Sequence, residues 1–130
     1  MAEMLSFELV SPAKRLAAAE AEAGTLPGME GDLTAMANHA PFLTTLRPGY
    51  VVLRNGTAEE RYFVTGGFAE ISENTVSVLA EHAVEDTAAD AAFLDERIAE
   101  AEAALEDASD DRRQAARQRV DGLTVLRGAM

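Results

Sequence analysis

The chain has 130 residues, a net charge of −12 and no cysteine. Without cysteine, disulfide bridges, thiolate zinc sites and cysteine nucleophiles are excluded. The strong negative charge argues against nucleic acid and anionic membrane surfaces as partners. No apolar run reaches the roughly 18 residues of a membrane span, and the acidic N-terminal segment lacks the features of a secretory signal. We therefore expect a protein of the bacterial cytoplasm.

The first two thirds of the chain have the pattern of an all-β domain. This part holds all four prolines and seven of the nine glycines. Short apolar segments between turn residues are typical of a β-sandwich or flattened barrel, and Asn55-Gly56 is a strong hairpin signal. The predicted strands, of which the second to fourth are the weaker ones, are Ser6–Val10, Leu16–Glu22, Leu33–Ala37, Phe42–Leu46, Tyr50–Arg54, Arg61–Thr65, Phe68–Ser72 and Thr75–Ala80.

The segment from Pro27 to Gly49 is unusually rich in turn residues, with three prolines and three glycines. Proline fixes φ and glycine supplies positive φ, so the segment must turn sharply several times. Its polar side chains Glu30, Asp32, Asn38 and His39 fall at the turns. Loops of this kind on a β scaffold commonly carry binding.

A catalytic interpretation of this segment is weak. His39 is near Asp32 and Thr44-Thr45, which a hydrolase can use, but a lone histidine before Ala-Pro more commonly caps a turn. The other histidine, His82, follows a predicted strand. The chain has no histidine pair at metal-binding spacing, no Gly-x-Ser-x-Gly elbow and no P-loop. We therefore expect neither catalytic residues nor a metal site.

From residue 87 the apolar period changes to that of two helices, which divides the chain into a β domain (1–86) and a hairpin (87–130). Thr87 with Asp90 predicts the first helix start, and Ser109 is the predicted N-cap of the second. The hairpin seam is mostly alanine, so the helices must lean on the β domain or on a partner. The predicted seam residues are Ala91, Leu94, Ile98, Ala101, Leu105, Ala116, Val120, Leu123 and Leu126.

The two helices carry opposite charge. Residues 87–111 hold nine acids and one base, whereas residues 112–130 hold five arginines and one acid. The arginines of the second helix can grip phosphate or an acidic protein surface, or they can pair with the first helix. Two interpretations also stay open for Gly66-Gly67, which forms either a phosphate nest or a tight turn or bulge between strands.

Six short motifs, in this order and spacing, are shared with a known family, and the chain resembles the epsilon subunits of bacterial F-type ATP synthases along nearly its full length. The combination of a β domain with a helical hairpin agrees. The motifs are Phe7-Glu8-Leu9-Val10-Ser11-Pro12, Gly28-x-x-Gly31-Asp32-Leu33, His39-Ala40-Pro41-Phe42-Leu43-Thr44, Leu46-x-Pro48-Gly49, Gly66-Gly67-Phe68-Ala69-Glu70-Ile71 and Val78-Leu79-Ala80-Glu81.

The resemblance implies a sandwich of ten strands followed by two helices. It implies a non-catalytic rotor subunit that binds the gamma subunit and the c ring and helps to couple proton flow to ATP synthesis. Such a subunit lies at the cytoplasmic face of the bacterial inner membrane without entering it. By motif, the partner-binding residues at the end facing the c ring are Glu30, Gly31, Asp32, His39, Ala40 and Pro41.

In this family the hairpin can brake ATP hydrolysis by meeting the catalytic beta subunit, which implies regulatory contacts by Arg112, Arg113, Arg117 and Arg119. Some members also bind ATP through an (Ile/Leu)-Asp-x-x-Arg-Ala motif. The nearest match here contains Asp95 and Arg97, but Arg97 follows by two positions instead of three and projects from a different helix face. We therefore expect no cofactor. The alternative is a small ATP sensor whose hairpin closes on nucleotide, and calorimetric titration with ATP separates the two.

Overall fold

The structure, a computed structural model, describes residues 4–13, 15–38 and 40–130, so His39 lies outside the described residues. Ten strands precede two helices. The strands are β1 Leu5–Val10, β2 Arg15–Ala21, β3 Ala23–Gly28, β4 Gly31–Met36, β5 Phe42–Leu46, β6 Gly49–Asn55, β7 Ala58–Val64, β8 Gly67–Ile71, β9 Thr75–Ala80 and β10 Ala83–Glu85. The helices are α1 Ala91–Asp107 and α2 Arg113–Gly128.

The strands form a β-sandwich in which nine strands pair in the order β10-β7-β6-β3-β5-β8-β9-β1-β2, with β4 paired to β3. Among the described residues the β1–β9 pairing is parallel and the other pairings are antiparallel. The ten-stranded fold and all eight predicted strands are confirmed, and Asn55-Gly56 does turn β6 into β7. Alternate residues of the strands point inward and fill the sandwich core, including Phe7, Leu9, Leu26 and Val78.

The sequence pattern does not predict two of the strands, β3 and β10. β3 contains Gly24, Pro27 and Gly28, which favour turns over strands. β3 forms by pairing with β4 and β6. Its proline packs closely against β6, since a Cβ at Gly49 of β6 would lie 2.8 Å from Pro27 Cβ. β10 has only three residues, too few to show an alternating pattern.

Both predicted helix starts are wrong by a few residues. The chain makes a 3-10 turn over Asp86–Ala88 before α1 begins, and Asp90 is the N-cap, since its Oδ1 accepts a hydrogen bond from Phe93 N at 2.9 Å. Ser109 does not cap α2. Its hydroxyl donates to Asp111 Oδ1, and the chain turns once more before Arg113 starts the helix.

The hairpin packs on the sandwich rather than standing alone. A second buried cluster joins Phe63 of β7 to Leu94 and Ala101 of α1 and Leu123 of α2. The Phe63 ring meets Tyr50 and Phe93 edge-on, at centroid distances of 5.4 and 6.0 Å. Of the two predicted supports for the alanine-rich hairpin, the β domain or a partner, the structure shows packing on the β domain.

Candidate functional site

The first candidate surface is the turn between β3 and β4, which contains three of the residues selected by motif. Met29 and Glu30 form the turn, and Gly31 follows with φ +142°, a conformation that favours glycine. Glu30 is exposed at the tip, and among the described residues it forms no ion pair. The tip of the turn therefore presents to the outside a carboxylate that no described residue pairs with.

Arg47 holds this turn in place. Its guanidinium donates to the Gly28 carbonyl and pairs with Asp32 Oδ1, and its backbone N–H donates to Pro27 O at 2.9 Å. On the other side Met29 N donates to Thr45 O at 2.9 Å. Asp32 is thus paired within the chain, although its side chain is 66% exposed, whereas Glu30 is the acid of this turn that is unpaired within the described ranges.

Ala40 and Pro41 lie elsewhere. They precede β5, beside the turn between β8 and β9, where Asn38 N donates to Glu73 O at 2.7 Å. The β3–β4 turn lies at the other end of β5, where Gly28 pairs with Leu46. Five residues of strand separate the two sites by about 17 Å at ~3.4 Å per residue. The expectation that both motifs lie at one end is wrong, because β4 and β5 run the length of the sandwich between them.

The Arg47 contacts lead to a first prediction. We expect Arg47→Ala to lower the free energy of unfolding by about 1 kcal/mol, because two charge-assisted hydrogen bonds are lost from a partly exposed side chain. Amide exchange should accelerate at Met29 and its neighbours. Arg54→Ala is the matched control, since it removes an exposed pair with Glu59. Equal effects of the two variants on exchange at the turn would show that Arg47 does not order it.

A second candidate surface, missed by sequence reasoning, is the outer face of β5, β8, β9 and β1. Strand register places Thr45, Phe68, Leu79 and Val10 side by side across these strands. We call these four residues the outer-face row. Phe68 and Leu79 are 56% and 57% exposed, and Leu43, one step along β5 from the row, is 69% exposed. The signal was present in the sequence, because Phe68 and Leu79 are apolar at the outward positions of alternating strands.

A cleft of about 510 Å³ lies over the outer-face row. Its other wall is α2, through Ala115, Gln118 and Arg119, and Met29 of the β3–β4 turn borders it. Exposed apolar surface of this kind marks an interaction site. The outer-face row, the cleft and the turn therefore form one continuous surface.

The arginines of α2 fall into two groups. Arg119 pairs with Glu81, and Arg127 Nε lies 2.8 Å from Asp95 Oδ1 of α1. Arg113 lies 3.8 Å from Asp110, in the turn before its own helix. By contrast Arg112 and Arg117 are exposed and form no ion pair with any residue that the structure describes. Among the described ion pairs only that of Arg127 joins α2 to α1, as one interpretation predicted, and whether Arg112 and Arg117 grip a partner stays a prediction.

Asp95 and Arg97 do not converge on a common site. Asp95 pairs with Arg127, whereas Arg97 faces the sandwich and is 13% exposed. Arg97 NH1 lies 3.3 Å from His82 Nδ1, its Nε lies 3.3 Å from Glu100 Oε2, and its guanidinium stacks over the Phe93 ring. The buried Nε is not aligned for a hydrogen bond to any described group. Arg97 thus fastens α1 to the sandwich.

The glycine pair at 66 and 67 forms a close strand contact. A Cβ at Gly67 would lie 2.1 Å from Leu79 O, so β8 can pair with β9 here only without a side chain. At Gly66 the guanidinium of Arg119 takes the free space, at 3.5 Å. The tight-turn interpretation fits these contacts.

Three further features, possible metal ligands, helix length and Tyr62, indicate no additional functional site among the described residues. Within the described ranges, no group of three or more acidic, histidine or cysteine side chains is arranged to hold a metal ion. No described helix is long and apolar enough to cross a membrane. Burial raises the pKa of Tyr62, and its hydrogen bond to Glu60 raises this pKa further. Tyr62 belongs to neither candidate surface.

Comparison with known proteins shows the family. A family model described as the beta-sandwich domain of the ATP synthase delta/epsilon chain matches residues 4–86. The ATP synthase epsilon chain of Parvibaculum lavamentivorans is 45% identical over 129 residues, covering 98% of each chain. That of Mesorhizobium japonicum is 46% identical over 132 residues, covering 100% of this chain and 98% of the relative.

Solved structures share the fold. A chain of the Euglena gracilis mitochondrial ATP synthase superposes with a TM-score of 0.70 at 21% identity, covering 97% of this chain and 81% of its own. A chain of the Tetrahymena thermophila mitochondrial ATP synthase gives a TM-score of 0.54 at 19% identity, covering 68% and 72%. With a sandwich domain matched by the family model and full-length relatives above 40% identity, the chain belongs to the delta/epsilon chain family of ATP synthase.

Proposed function

We propose that the chain links the gamma subunit to the c ring in the central stalk of a bacterial F-type ATP synthase, and so couples proton translocation to ATP synthesis. As a member of the epsilon chains it is a non-catalytic subunit. The observation that carries the proposal is the exposed apolar surface around Phe68 and Leu79, because a subunit without an active site acts through its contacts. Its place is peripheral, at the cytoplasmic face of the inner membrane.

Two parts of the surface have different partners in this proposal. The outer-face row and Leu43 form an apolar area suited to a stable contact with gamma. Ala40 and Pro41, at the same end of β5 as Leu43, belong with the gamma side. Arg47 holds the β3–β4 turn through Gly28 and Asp32, and Glu30 at its tip meets the polar loops of the c ring, where an exposed carboxylate finds hydrogen-bond donors.

The gamma contact is tested by placing a charge in the outer-face row. We expect Phe68→Asp to weaken binding to a gamma-containing complex stripped of this chain by tenfold or more, because burying an unpaired carboxylate costs on the order of 1.4 kcal/mol or more. Val125→Asp is the control, since Val125 is 71% exposed on α2 and lies outside both candidate surfaces. Labelled chain is titrated with the stripped complex. Unchanged affinity of a folded Phe68→Asp variant would refute the gamma assignment.

The hairpin is proposed to act as a regulatory element without bound nucleotide. Asp95 and Arg97, the residues nearest to the ATP motif, are occupied by Arg127 and by His82 with Glu100. A brake on hydrolysis through the catalytic beta subunit requires the hairpin to leave the sandwich. Arg112 and Arg117 are free to meet an acidic segment directly, whereas Arg119 must first give up Glu81.

A further inference from the structure

We propose that the docked α2 is the second wall of the gamma groove, so that hairpin docking and gamma binding strengthen each other. This inference rests on the proposed function and deepens it. The occupant is an apolar segment of the stalk partner that enters the cleft between α2 and the outer-face row, with an acidic side chain beside it. A hairpin that leaves the sandwich opens the groove on one side and weakens the contact.

The two walls face the same space. The outer-face row lines the cleft through Val10, Phe68 and Leu79, and α2 lines it through Ala115 and Gln118. At about 510 Å³ the cleft has the size of a site that encloses a few side chains. A partner that bound only the sheet would leave this space empty. An apolar segment that fills the cleft instead contacts both the outer-face row and the facing side of α2.

Three contacts fix α2 in the position that creates this wall. Arg119 pairs with Glu81, and its guanidinium lies over Gly66, 3.5 Å from where a Cβ would be. One turn later Gly122 packs against Pro48, so closely that a Cβ would lie 3.1 Å from Pro48 Cδ. The next residue, Leu123, is buried in the cluster with Phe63. The wall is therefore held by the same contacts that dock the hairpin.

The charge at the end of the wall indicates the chemistry of the occupant. Arg112 is the N-cap residue of α2 and comes three residues before Ala115, the first cleft-lining residue of the helix. It is exposed and forms no ion pair within the part of the chain that the structure describes. An acidic side chain on the partner, next to its apolar segment, would pair with Arg112 as the segment enters.

Because binding linkage is reciprocal, the factor by which docking improves gamma affinity equals the factor by which gamma stabilises docking. Partner binding should therefore slow amide exchange along α2 as well as on β8 and β9. An independent hairpin would exchange at the same rate in the free chain and in the complex.

The test uses two glutamates placed next to each other at the start of α2. Ala115→Glu puts a carboxylate in the cleft, whereas Gln114→Glu puts one on a neighbouring exposed position that does not line it. Both positions lie in the first turn, where an acid favours the helix, so neither variant should unfold α2. We expect Ala115→Glu to weaken binding to the stripped gamma-containing complex by about fivefold or more, and Gln114→Glu to leave it unchanged.

The outcomes separate this inference from the proposed function. If Phe68→Asp weakens binding while Ala115→Glu and Gln114→Glu behave alike, the sheet holds gamma without α2, and the two-walled groove is wrong. If Phe68→Asp has no effect either, the gamma assignment itself fails. Exchange measured on the unmodified full chain gives a second readout: unchanged protection of α2 on binding also overturns the inference.

Discussion

Replacing Phe63 with alanine is expected to lower the free energy of unfolding by about 3–5 kcal/mol, the range for deleting a large buried aromatic side chain. Phe63 is fully buried and is the residue of the sandwich around which the hairpin cluster forms. Its loss removes edge-to-face contacts with Tyr50 and Phe93 and leaves a cavity beneath α1. Urea denaturation measures the change, and amide exchange locates it.

The location of the destabilisation is also predicted. In Phe63→Ala the amides of α1 and α2 should exchange faster than those of the core strands, because the hairpin loses its anchor before the sandwich loses its core. Phe68→Ala is the matched control, since the same change on the half-exposed outer face should cost less than about 1 kcal/mol. If Phe63→Ala costs no more than this control, the hairpin does not rest on Phe63.

The second large effect is expected from Gly122→Leu. A Cβ at this position would lie 3.1 Å from Pro48 Cδ, closer than an ordinary van der Waals contact, so we expect a leucine side chain to push α2 away from the sandwich. Such a movement exposes Leu123, whose burial stabilises the docked state by about 1.5–3 kcal/mol. We expect loss of exchange protection along α2 and a lower melting temperature.

Gly128→Leu provides the comparison in the same helix. Nothing lies within 4 Å of a Cβ at Gly128, so the substitution only replaces a poor helix former by a good one. It should leave the melting temperature unchanged or slightly raised. Equal destabilisation by the two leucines would mean that the contact between Gly122 and Pro48 does not hold the hairpin.

These variants bear on how the hairpin is held, which the sequence predicts only in outline. The alternation of β8 and β9 and the 3-4 spacing of α1 identify the elements, because burial on one face imposes a fixed period. The dependence of the hairpin on the sandwich also follows from its small side chains. The sequence does not predict that Leu94 and Leu123 pack against Phe63, because Phe63 belongs to a strand that is distant in sequence.

Local signals failed where tertiary contacts override them. Pro27 and Gly28 are turn residues, but the pairing of β3 with β4, β5 and β6 makes them part of a strand. Thr87 has a residue pattern suited to capping, but the 3-10 turn at Asp86–Ala88 moves the cap to Asp90. For Pro27 and Gly28, pairing with distant strands outweighs a local preference of about 1 kcal/mol, whereas at Thr87 one local turn replaces another.

The sequence also predicted the candidate surfaces only in part. The motif residues Glu30, Gly31 and Asp32 do lie together at the β3–β4 turn, and Asp95 and Arg97 have different partners, Arg127 and His82. The role of Arg47 as the group that holds the turn could not be predicted, since it depends on where β3 and β5 meet. Nor could the pairing of Asp32, which leaves Glu30 as the outward acid.

The central claim is that two parts of the surface of one small sandwich, the outer face and the tip of the β3–β4 turn, meet different stalk partners, and site-specific crosslinking in the assembled membrane complex tests it most directly. Because the chain has no cysteine, single cysteines give unambiguous attachment points. Leu43→Cys, on the outer face, should crosslink to gamma, and Glu30→Cys, at the β3–β4 turn, to the c ring. Thr57→Cys, in the turn after Asn55 at the far end of β3, should crosslink to neither. Crosslinking of Thr57→Cys to the c ring with the yield of Glu30→Cys would contradict the account.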